Sequence, residues 1–181
     1  MKRILLILLT VLLLPSSILA ENTSHTEKKR NALIVYGQGF AFSVKEPSGW
    51  VGDAENAEKY SANIIFHPAS QKHETMQTIV RISIIEKVDE DTQDDLSQDM
   101  KGYQAQYPHI KFKKLSVTHP TYRVFPKLFT VPGQFYEYVA YVNPGPPRKP
   151  IFSTSMNKQK VEATPSEPDA YQKIVASLQL L

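Results

Sequence analysis

The stretch Gln77-Thr78-Ile79-Val80-Arg81-Ile82-Ser83-Ile84-Ile85-Glu86-Lys87 carries the clearest structural signal in the chain. Val80, Ile82 and Ile84 alternate with Arg81 and Ser83, which puts the apolar side chains on one face of a strand and the polar ones on the other. A strand of this kind sits in a sheet with one packed face and one wetter face.

Toward the N-terminus, Ala62 to His67 reads as a second strand, separated from the first by the polar loop Pro68 to Thr75. Further back, Ala32 to Tyr36 and Phe40 to Val44 are short runs of β-branched and aromatic residues around Gly37-Gln38-Gly39, the pattern of a hairpin. The turn Lys45 to Gly49 then presents Trp50, the single Trp, which reads as a cap on the core. Toward the C-terminus the period changes. Leu96, Met100, Tyr103 and Tyr107 are spaced to share one face of a helix over Asp91 to Tyr107, with Thr92 and Asp95 at capping-box spacing and Pro108 as its stop. The carboxylates Asp89, Glu90, Asp91, Asp94 and Asp95 suit a solvated helix start, where they oppose the macrodipole.

Lys111 to Val117, Thr121 to Phe125, Lys127 to Val131, Gln134 to Val142 and Ile151 to Met156 return to β character. The last two flank the proline-rich loop Asn143 to Pro150, so they form a hairpin with a stiff tip. A second helix begins near Ser166-Glu167-Pro168-Asp169 and carries the apolar stripe Tyr171, Ile174, Val175 and Leu178. The expected fold class is α+β: an antiparallel sheet flanked by helices as an α/β/α sandwich.

The chain starts with Lys2 and Arg3, an apolar run from Ile4 to Leu14 and Pro15 to Ala20, the layout of a signal peptide cut after Ala20. The apolar run is shorter than the roughly 20 residues a spanning helix needs. The expected organisation is a signal peptide over 1–20, a flexible leader over 21–31 and one domain over 32–181, in a secreted or periplasmic location with no stable membrane insertion. Of 21 basic and 18 acidic residues, Lys2 and Arg3 leave with the signal, so the remainder is close to neutral and nucleic acid is not an expected partner. Asn22-Thr23-Ser24 is formally a glycosylation sequon.

The absence of Cys excludes thiol catalysis, thiol redox work and Cys-containing zinc sites. There is no Gly-x-Ser-x-Gly, no complete Gly-rich dinucleotide fingerprint and no phosphate-binding Gly-Lys-Ser/Thr, so no catalytic residue and no cofactor is assigned. His67 and His73, with Glu74, are the histidines close enough in sequence to suggest a cation, but a third well-spaced ligand is missing and no metal is assigned.

Gly39-Phe40-Ala41-Phe42-Ser43-Val44 running into Pro47-Ser48-Gly49-Trp50, the acidic-capped helix, the strand Tyr136 to Tyr141 and the closing helix through Leu178 together resemble the PsbP-like family. That family includes an extrinsic oxygen-evolving subunit of photosynthetic membranes, a Ran-binding import factor and small exported bacterial proteins. The resemblance implies an antiparallel sheet flanked by helices and transfers no binding residue. The functional expectation is a non-enzymatic accessory or binding protein that contacts an exported or membrane protein. The alternative is a small-molecule or metal-binding protein, or a minor hydrolase, around Trp50, His67 and His73. Trp50, His67, His73, Tyr138 and Arg148 are the candidate contact residues.

Overall fold

The computed structural model describes residues 25–29, 32–72, 76–86, 91–146, 150–159 and 163–181. The signal segment 1–20 and the candidates His73 and Arg148 lie outside these. The alternating stretch forms β6, Thr78–Glu86. It is paired antiparallel to β5, Ile64–Pro68, on one side and to β10, Pro150–Gln159, on the other. Around these three strands runs a seven-stranded sheet in the order β4-β5-β6-β10-β9-β8-β7. The remaining members are β4 (Trp50–Asp53), β7 (Lys111–Lys114), β8 (Arg123–Val131) and β9 (Phe135–Asn143). A second, four-stranded antiparallel sheet has the order β1-β2-β3-β11, from His25–Lys29, Ala32–Gly37, Phe40–Val44 and Gln179–Leu180. The segment 21–31, read above as a leader, thus contains a strand paired with β2.

This architecture overturns the helix-flanked α/β/α sandwich. Among the described residues strand outweighs helix by 47% to 22%, with two α-helices and two antiparallel sheets. On one face of the large sheet the covering layer is largely the small sheet. Val35, Phe42 and Val44 from β2 and β3 are fully buried in one cluster with Val80, Ile82, Phe152 and Met156. The helix α2, Ser166–Ala176, completes that layer through Tyr171, Ile174 and Val175, all buried as its apolar spacing required. On the opposite face a single helix, α1 (Thr92–Gln106), seats Leu96, Met100 and Tyr103 on Phe129, Val139 and Tyr141. Alternation reports that a strand has a packed face, but not which sheet it joins. The error arose there.

Two local expectations also shift. Asp91, not Thr92, caps α1, its carboxylate accepting from Gln93 N at 3.0 Å. At α2 the N-cap position is Pro165, with no side-chain cap, and Glu167 instead reaches back to accept from the N–H and hydroxyl of Thr164. The runs 121–125 and 127–131 merge into one strand, β8, through Pro126. Proline is tolerated there because β7 ends at Lys114, opposite Lys127, and leaves β8 unpaired on that side at Pro126.

His119 fastens the C-terminal strand. Its Nε2 donates to the Leu178 carbonyl at 2.8 Å, while Nδ1 accepts from the N–H groups of Thr121 and Tyr122 at 3.1 and 2.9 Å. The ring stacks on Tyr122 with centroids 4.3 Å apart. Burial holds its pKa below 6.5, against the opposing effect of the Leu178 carbonyl. A lowered histidine pKa gives stability that is complete above the unfolded value and is lost as pH falls through about 6.5 toward the folded value. Urea titrations across that range should show the stability gap between the wild type and His119→Phe narrowing as pH drops. A gap independent of pH contradicts this.

Candidate functional site

The face of the large sheet beneath α1 is not uniformly apolar. The register aligns Ser83 of β6 with Ser153 of β10 and Tyr141 of β9, and the next row aligns Arg81 with Ser155 and Val139. Arg81, Ser83, Val139, Ser153 and Ser155, with Glu137, form the floor of a cleft of about 180 Å³, walled by Asp99 and Tyr103 from α1 and by Tyr60 and Ser61 at the end of the 3-10 turn Ala57–Tyr60. The alternation of β6 that buries Val80 and Ile82 on one face delivers Arg81 and Ser83 to this one.

Arg81 organises the floor. Its Nε donates to Ser155 Oγ at 3.0 Å, and Nη2 reaches diagonally across β10 to Glu137 Oε1 at 2.5 Å. The Glu137 side chain is 3% exposed and that of Arg81 36%, so the cation faces the opening and the anion the interior. Tyr103 donates to the second Glu137 oxygen at 2.9 Å, and Tyr141 donates to Asp99 at 3.0 Å. Burial, and then the charge of Glu137, push the Tyr103 hydroxyl far above its ordinary pKa. Burial and Asp99 do the same to Tyr141. Both phenols therefore stay protonated at neutral pH and act as fixed donors. With both Glu137 oxygens occupied by donors, the array is suited to holding a polar molecule rather than to moving a proton.

The candidates among the described residues, Trp50, His67 and Tyr138, do not come together here. Trp50 lies opposite Pro68 in the β4/β5 register, packed on the core between the two sheets. His67 lies opposite Val51, one position along, and so faces the other side of the sheet. It is 9% exposed, with Nδ1 3.0 Å from the Pro68 carbonyl. Tyr138 points into the core and meets Tyr171 edge-on at 6.3 Å. Among the described residues no group of three His, Asp or Glu is placed to hold a metal ion.

Sequence reading placed Arg81 and Ser83 on the wetter face but did not connect them with Glu137, Ser153 or Ser155. The polar alternation of β9 and β10 was the available signal, and strand adjacency was the missing fact. No protein-family model and no curated protein matches the chain.

Proposed function

We propose that this is an exported, non-enzymatic binding protein that recognises a compact, uncharged, hydroxyl-rich ligand, such as the end of a saccharide chain, in the cleft beneath α1. The observation that carries the reading is the Arg81–Glu137–Tyr103 network at the centre of the large sheet. An ion pair with its carboxylate buried and its cation partly exposed gives back little more than its desolvation penalty, and apolar residues of similar volume often do better at such positions. Three serines on adjoining strands likewise occupy positions where apolar side chains would strengthen the contact with α1. Polar groups that weaken the packing but line an open cleft are explained by recognition. The remaining N–H groups of Arg81 and the serine hydroxyls supply donors, Asp99 and the serines supply acceptors, and this mixture matches hydroxyl groups, which need both. Support for the location is the charged, apolar and small-residue order of residues 2–20.

The test is a thermal-shift and calorimetric screen of neutral mono- and disaccharides alongside amino acids and small carboxylates. A neutral sugar should raise the melting temperature of the wild type and leave Ser155→Val unmoved. A screen in which charged compounds bind and sugars do not, or in which Ser155→Val responds like the wild type, rejects the assignment.

A further inference from the structure

On the other side of α1 from the polar cleft lies a groove of about 440 Å³, within the size range of small-molecule pockets. Its apolar wall is Leu96 and Met100 of α1 and Phe125 of β8. It opens where β7 leaves the sheet after Lys114, beside Pro126, so the strand edge there is not covered by a neighbour. The charges at this opening have one sign. Lys114 and Lys127 both line the groove and stand directly opposite each other in the β7/β8 register. Like charges in that arrangement, with Cβ atoms about 5 Å apart, destabilise a strand pair. Among the described residues neither lysine has a carboxylate partner. Arg123, four residues before Lys127 on the same face of β8, lies outside the groove lining but 5.1 Å from the centre of the Phe125 ring.

We propose that this groove binds an anionic amphiphile, an alkyl chain ending in one carboxylate. The chain would lie along Leu96, Met100 and Phe125, and the head group would sit between Lys114 and Lys127. A carboxylate there converts a repulsive cross-strand pair into two charge-assisted contacts. The apolar wall accounts for the tail, which a small inorganic anion would leave unused. A polynucleotide needs a longer basic track than two lysines and an arginine. The site is separate from the polar cleft and does not depend on the ligand proposed for it.

Isothermal titration of the protein with sodium decanoate and with decanol distinguishes head-group recognition from simple apolar uptake. Decanoate should bind at least about tenfold more tightly than decanol, the factor carried by 1.4 kcal/mol. Lys114→Gln and Lys127→Gln should each remove most of that difference without changing the circular dichroism spectrum. Arg81→Met should bind decanoate as the wild type does. Equal binding of the two compounds, no binding of either, or decanoate binding that is indifferent to both lysine variants overturns the proposal.

Discussion

Glu167→Ala is expected to lower the unfolding free energy by about 3–5 kcal/mol, enough to leave a domain of this size only marginally folded. Glu167 and Lys158 are 8% exposed, and Lys158 Nζ donates to both carboxylate oxygens at 2.9 and 2.7 Å. Thr78 Oγ1 donates to the same carboxylate at 2.5 Å, and Thr164 donates both its N–H and its hydroxyl. The carboxylate thereby joins the first turn of α2 to β6 and β10. Removing it strands a buried ammonium on β10 and the buried Thr78 hydroxyl besides, and the uncompensated ammonium sets the size of the effect. Replacing both partners, Lys158→Met with Glu167→Leu, should recover much of the loss, because no charge is then left unpaired. Burial raises the Glu167 pKa, but the donors outweigh it and hold the carboxyl below its usual 4.5. A depressed carboxylate pKa contributes stability that is complete above the unfolded value and is lost as pH falls below about 4.5. Urea denaturation of the three proteins at neutral and acid pH checks all of this. A single variant as stable as the wild type contradicts it.

The second large effect is expected at Phe152. This residue lies on β10 with no exposed surface, between the two sheets, and its ring meets that of Phe42 edge-on at 5.4 Å and 83°. Tyr122 stacks on it from the side of the His119 loop at 6.5 Å. Phe152→Ala deletes the ring that joins β3, β10 and the loop before β8, and leaves a cavity in a close-packed core beside the fully buried Val142, its partner on β9. A loss of about 3–5 kcal/mol follows from the buried area and the cavity left behind. Phe152→Leu should cost less than half as much, because it retains most of the volume. If the alanine variant unfolds at the same urea concentration as the wild type, the two sheets do not share the core described above.

Much of the local structure was legible in the sequence because period and burial agree there. The helix faces Leu96–Met100–Tyr103–Tyr107 and Tyr171–Ile174–Val175–Leu178, the hairpin around Gly37-Gln38-Gly39 and the inward face of β6 all follow from spacing. Gly39 takes φ +79°, the turn conformation for which glycine is suited. The layering was not legible. Nothing in Ala32 to Val44 says that these strands cover the large sheet rather than extend it, and the two-residue β11 is too short to have a period. The candidate site shows the same limit. Arg81 and Ser83 are placed on the polar face of their strand by alternation, but Glu137 lies two strands away and Asp99 on a helix, and no local pattern links them. Trp50 and His67 are grouped in one candidate site by sequence; β4 and β5 do pair, yet a one-residue offset sends the two side chains to opposite faces.

In the proposed function the Arg81–Glu137–Tyr103 network serves recognition rather than the fold. Arg81→Met, Glu137→Leu and Tyr103→Phe made together remove every charge and hydroxyl of that network while keeping side chains of similar volume. The melting temperature and sugar titration of this one variant test the claim most directly. The predicted result is a melting temperature equal to or above that of the wild type, with sugar binding lost. A variant that melts well below the wild type, or that still binds sugar, would show the network to be structural and the cleft to have another role.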